Sequence, residues 1–180
     1  MAIATRGINH PALIARNIDQ TVQFYTEVLG MKLVLSQPNL DEPRMTHLFF
    51  SAGNGGFLAF FTPNEGSGLE IPQATQGITS MLHVALNLDV SIEEAMDTLR
   101  NNNVPFSGPI DRGYERSLYF KDPNGIVVEL LSWITPLPEG ADEAEVIARA
   151  QSLREAEGAY NIEDIHVRNA MAELGFRLDD

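Results

Sequence analysis

The sequence contains no cysteine, which excludes disulfides, thiolate metal sites and a cysteine nucleophile. Basic residues are scarce: 12 Lys and Arg stand against 25 Asp and Glu, for a formal charge of −13. A surface of that sign repels nucleic acid and anionic lipid, and no basic patch interrupts it. No apolar run reaches membrane-spanning length, and the opening MAIATRGINHPALIARN lacks the basic-then-apolar pattern of a secretion signal. The expectation is a cytoplasmic protein with neither a nucleic-acid nor a membrane partner.

What is present is the balance of an ordinary globular chain. Hydrophobic residues make up 44 % and charged residues 21 % of 180, enough to bury one core or two small modules sharing one. Many of the acids fall beyond residue 138, in PEGADEAEVIARAQSLREAEG and the closing LDD. That pattern predicts a solvated helical appendage.

A weak internal repeat divides residues 6–134 into two halves. INHPALIA (8–15) lies over MLHVALNL (81–88), each a short apolar segment with a histidine third. A helix follows in both. In DQTVQFYTEVLG, Asp19 is the expected N-cap, Val22, Phe24, Tyr25, Val28 and Leu29 the apolar stripe, and Gly30 the stop. In SIEEAMDTLRNNN, Ser91 with Glu94 predicts a capping box, with Ile92, Ala95, Met96 and Leu99 as the buried face. Three strand-like segments come next in each half: MKLVLSQ, MTHLFFSA and GFLAFFTP, then VPFSGPI, RSLYFKD and GIVVELLSW.

Each half therefore reads strand–helix–strand–strand–strand. Overlaying GFLAFF (56–61) on GIVVEL (125–130) sets Phe60 opposite Glu129, as His10 stands opposite His83. Three of these four positions hold metal-ligand types. Two imidazoles and a carboxylate suit one divalent ion, whether Fe(II), Mn(II), Co(II), Ni(II) or Zn(II). A phenylalanine in the fourth place would leave coordination positions open for substrate. Glu129 stands in the apolar run IVVELLSW, where a carboxylate needs a cation, an Arg partner or a route to water.

INHPALIARNIDQTVQFYTEVLGMKLV resembles the opening of vicinal oxygen chelate proteins, and SLYFKDPNGIVVELL their closing motif. That superfamily includes glyoxalase I, fosfomycin-resistance proteins and extradiol ring-cleaving dioxygenases. The resemblance spans about residues 6–134. It implies two βαβββ modules forming a curved mixed sheet around a metal cleft, an α+β fold, with His10, His83 and Glu129 as ligands. Glyoxalase I usually carries a glutamate where the overlay puts Phe60, so the three-ligand set is closer to extradiol dioxygenases. Tyr119 matches the tyrosine that hydrogen-bonds a bound substrate oxygen in those enzymes. The histidine their signature places upstream is missing from Ile110 to Arg112.

The resemblance thus implies an extradiol dioxygenase-like oxidoreductase acting on a small molecule with adjacent oxygens. The alternatives are a glyoxalase-type lyase or isomerase and a non-catalytic small-molecule binding protein. A phosphonate substrate is disfavoured by the acidity and by the lack of basic residues after Glu129. His47 is either an acid–base group facing the cleft or a hydrogen-bonded strand histidine. Phe60 and Arg116 complete the expected substrate contacts, and His166 reads as a surface or interface residue. The expected organisation is a first module at 6–64, a linker or lid at 65–78, a second module at 79–134 and a helical extension at 135–180. The extension either covers a sheet face or builds a homodimer.

Overall fold

The structure is a computed structural model that describes residues 8–53, 55–72 and 83–178. The boundaries expected at 6 and 79, and residues 73–78 of the linker, lie outside the described residues. The element order is β1 (Ala12–Ile14), α1 (Ile18–Gln23) prolonged by a π-helical turn (Phe24–Val28), β2 (Lys32–Pro38), β3 (Met45–Ser51) and β4 (Phe57–Pro63). Then follow β5 (Val84–Asn87), α2 (Ile92–Asn101), β6 (Phe106–Asp111), β7 (Glu115–Lys121) and β8 (Val127–Trp133), with α3 (Glu143–Glu157) and α4 (Asp164–Glu173) as the extension. The α+β repeat read from the sequence is the fold: two four-stranded sheets, ordered β1-β4-β3-β2 and β5-β8-β7-β6.

By contact, the chain forms two compact units. One holds the first module together with Lys121–Val128, and the other holds Ala85–Phe120 and the chain from Glu129 onward. In the first sheet, β1 runs parallel to β4 while β3 is antiparallel to both β2 and β4. Alternation sorts its side chains. Leu13, Leu48, Phe50, Leu58 and Phe60 are buried, and Tyr25 meets Phe60 and Phe50 at ring separations of 4.8 and 5.3 Å. Asn17, not Asp19, caps α1: its side chain accepts from Gln20 N at 2.9 Å. An N-cap needs extended backbone one residue before the helix, and Asn17 has it at φ −143°, ψ 125°. The Ser91–Glu94 capping box forms as expected.

The Asp-Pro-Asn-Gly turn between β7 and β8 belongs to the first unit. The buried Asp122 carboxylate accepts from Asn124 N (2.9 Å), Asn124 Nδ2 (2.9 Å), Ile126 N (2.8 Å) and the Tyr25 hydroxyl (3.2 Å). Asn124 Oδ1 in turn accepts from Arg16 N at 2.8 Å. Burial is the main reason the Asp122 pKa lies above the ordinary carboxylate range, with these donors pulling it back.

In the extension, Val146, Ala150, Val167, Ala170 and Met171 form a separate core against which Tyr114, Trp133 and Leu137 pack. His166 is a correction to the sequence reading. It is 2 % exposed, accepting through Nδ1 from Glu163 N at 2.9 Å and meeting Glu157 Oε2 at 3.0 Å through Nε2. It closes the α3–α4 hairpin from within.

Candidate functional site

Two hydrogen bonds fix the true register of the repeat. Ala15 N donates to Phe61 O at 2.9 Å, and Leu88 N donates to Leu131 O at 2.8 Å. His10 lies five residues before Ala15 and His83 five before Leu88, so the histidines are equivalent. Phe61 is then equivalent to Leu131, and Glu129 to Ala59. The ungapped overlay that paired Phe60 with Glu129 is one residue out. Phe60 is fully buried against Tyr25 and corresponds to the buried Leu130. The fourth position holds Ala59, whose methyl group cannot ligate either.

The other face of the first sheet is aromatic. His47 stacks on Phe61 at 4.3 Å and meets Phe49 edge-on at 4.7 Å, while Phe49 stacks on Phe57 at 5.3 Å. His10 lies 4.8 Å from Phe49. Its Nδ1 is 2.6 Å from Asn9 Oδ1; donation to that oxygen leaves the Nε2 lone pair available to an incoming cation. His47 Nε2 is buried without a hydrogen-bond partner. Burial first, then the charge of His10, holds the His47 pKa below its ordinary 6.5.

That shift has a measurable sign. A histidine with a depressed folded pKa adds stability that is present above its unfolded pKa and lost as pH falls through the folded value. In metal-free protein, the unfolding midpoint is expected to drop on acidification below about pH 6.5, and His47→Phe to flatten that limb. Equal acid slopes in the two proteins would remove His47 as the source.

On the second sheet, Glu129 is 5 % exposed between Val128 and Leu130, which are also buried. The Tyr119 hydroxyl donates a short hydrogen bond to Glu129 Oε1. Arg112, which the sequence does not tie to Tyr119, donates from Nη2 to the Tyr119 oxygen at 3.1 Å, with its guanidinium carbon 5.6 Å from the ring centroid. Arg112, Tyr119 and Glu129 thus form one hydrogen-bonded line. The Tyr119 contact, with the charges of Glu129 and Glu115 behind it, raises the Arg112 pKa. Burial, then the Glu129 charge, raises that of Glu115. Arg116 is exposed on β7, and alternation sets it on the face of Leu118 and Phe120, away from Tyr119. Arg112 sits in the turn after β6, where no periodicity announces a side chain's direction.

The residue types His10, His83 and Glu129 suit a first-row divalent ion. Among the described residues, no three His, Asp or Glu side chains are gathered into a set that could hold one. Those described residues also include no helix long and apolar enough to cross a membrane.

Residues 7–130 match the profile described as "Glyoxalase/Bleomycin resistance protein/Dioxygenase superfamily". MhqO of Bacillus subtilis, named as a ring-cleaving dioxygenase, is 32 % identical over 137 residues; the match covers 73 % of this chain and 41 % of that protein. A Vibrio parahaemolyticus protein named as a lactoylglutathione lyase is 27 % identical over 127 residues, covering 69 % of this chain and 88 % of that one. Among solved structures, a Bacillus subtilis protein named as a dioxygenase superposes with TM-score 0.57 at 28 % identity, covering 72 % of this chain and 41 % of that chain. A glyoxylase/bleomycin resistance protein/dioxygenase domain from Frankia sp. EAN1pec gives TM-score 0.61 at 16 % identity, covering 72 % and 99 %. The chain spans about two fifths of MhqO, at 41 % of its length.

Proposed function

Because the chain belongs to the glyoxalase, bleomycin resistance protein and dioxygenase superfamily, we infer that it is a metal-dependent oxidoreductase of the ring-cleaving dioxygenase type. Its substrate is a small molecule with two adjacent oxygens, and its ligands to one Fe(II) or Mn(II) are His10, His83 and Glu129. The observation that carries this reading is the buried Glu129 carboxylate, oriented by the Tyr119 hydroxyl.

Lewis-acid polarisation of the substrate oxygens is what a bound divalent ion supplies. The chain's own groups do the rest. Tyr119 donates to Glu129 Oε1 and so orients the carboxylate. His47, stacked on Phe61, extends the aromatic face that a substrate ring would meet. Phe49, Phe57 and Phe61 offer flat apolar area for an aromatic ring. The names of the Bacillus relatives favour a ring-cleaving reaction. The larger share of the Vibrio lyase that is covered, 88 %, favours the second reading, a glyoxalase-type lyase or isomerase. A homodimer belongs to both readings and is checked by sedimentation.

Elemental analysis after anaerobic Fe(II) or Mn(II) loading is expected to give about one ion per chain. Catechols and hydroquinones are then expected to drive oxygen uptake with ring-cleavage chromophores. Isomerisation of a hemithioacetal without oxygen uptake would decide for the lyase. Failure to retain any transition metal would sink both.

A further inference from the structure

The family match ends at residue 130, yet the helices beyond it press on the line of residues that ends at Glu129. The point of pressure is Gly113, in the turn between β6 and β7. Its φ is +97°, and a Cβ there would sit 2.4 Å from Ile162 O and 2.8 Å from Asn161 Nδ2, both in the α3–α4 connection. Only a residue without a side chain allows that approach. Gly113 O accepts from Asp164 N at 2.9 Å, and Gly113 N donates to Asp111 Oδ1 at 2.8 Å. Asp164 is itself anchored, accepting from Thr135 N at 3.1 Å and Thr135 Oγ1 at 2.9 Å.

The other side of the turn is held as firmly. Arg112 N donates to Glu115 O, and Ile134 N to Tyr114 O, each at 2.8 Å. Tyr114 meets Trp133 edge-on at 5.3 Å, and both pack on the hairpin core. The turn from Asp111 to Glu115 is therefore clamped between β8 and the hairpin. Arg112 projects from inside the clamp to the Tyr119 oxygen, and Tyr119 donates to Glu129.

We propose that the C-terminal hairpin is a working part of the site: it braces the β6–β7 turn so that Arg112, a positioning residue, holds Tyr119 on the Glu129 carboxylate. Arg112 is exposed and its charge alone would be screened by water. Its effect comes from where the clamp puts it. This role presupposes that Glu129 is a metal ligand, as inferred above, and outer partners of a ligand typically command about 10–100-fold in metal affinity.

The test uses the full chain, Co(II) titrated by its visible absorption, and hydrogen–deuterium exchange on metal-free protein. Gly113→Val touches neither Tyr119 nor Glu129. It is expected to weaken Co(II) binding about tenfold and to speed exchange over residues 112–119, with helical content retained. Arg112→Ala is expected to weaken Co(II) similarly, and the double variant to be no weaker than either single one. If Gly113→Val does not fold, Asp164→Ala, which removes the Thr135 anchor, carries the same expectations. Folded variants within about twofold of the parent for Co(II), or fully additive losses, would overturn the brace. If Glu129→Gln leaves Co(II) affinity unchanged, the ligand reading fails by itself. The exchange arm then decides alone: no change over 112–119 refutes the brace and faster exchange supports it.

Discussion

Glu129→Gln is expected to fold as the parent does and to lose divalent-metal affinity by at least about 100-fold, the upper end of what outer partners of a ligand command. Glutamine matches the side chain in shape, and its amide oxygen can still accept from Tyr119. The thermal midpoint of the metal-free protein should therefore stay within about 2–4 °C, the shift that ~1 kcal/mol produces in a chain of this size. What glutamine lacks is the negative charge that a divalent ion requires of a site otherwise supplied by neutral imidazoles. Isothermal titration with Mn(II) measures the affinity and calorimetry the midpoint. Unchanged affinity would remove Glu129 from the ligand set. A midpoint lowered far beyond that window would show that the carboxylate serves the fold instead.

Asp122→Ala is expected to cost about 3–5 kcal/mol, in the range for breaking a buried, multiply bonded charged group. The deletion strands two backbone N–H groups and the Tyr25 hydroxyl, and leaves the Asn124 amide with Thr21 Oγ1 as acceptor, in an interior where Tyr25 is fully buried and Asn124 is 2 % exposed. Each orphaned donor carries its own desolvation penalty. A midpoint drop of about 10 °C follows, read by calorimetry. Tyr25→Phe removes one of the four bonds and should cost about 1 kcal/mol. Equal costs for the two variants would place the stabilisation in ring packing, not in the carboxylate.

The elements that the sequence disclosed are those with a periodic or chemical signature. The Ser91–Glu94 box and the strand–helix–strand–strand–strand repeat are both local patterns, and the structure has each of them. Phe60 was misplaced because GFLAFF offers no alternation: Ala59 and Phe60 are both fully buried, on opposite faces. Aligning the glycines at 56 and 125 then carried a one-residue difference in turn length into the strand. Asn17 and Asp19 are both good caps, and only backbone dihedrals separate them. Arg112 lay beyond reach for another reason. Its importance comes from a turn held by residues some fifty positions away, through Asp164 and the α3–α4 connection. The sequence does show Gly113 between two charged residues and an aromatic one, a signal too common to weigh alone.

Synthesis on the ribosome meets a difficulty in the first module. Its strands and helix are complete by Pro63, yet Tyr25 finds its acceptor, and Arg16 N its own, only in Asp122 and Asn124. Those residues emerge after the second module's first helix and two of its later strands have been made. The earlier half must wait for the later one with a buried hydroxyl unanswered. A fragment cut after the first module would inherit that vacancy permanently. The two modules look separable in sequence, and the Asp-Pro-Asn-Gly turn makes one dependent on the other.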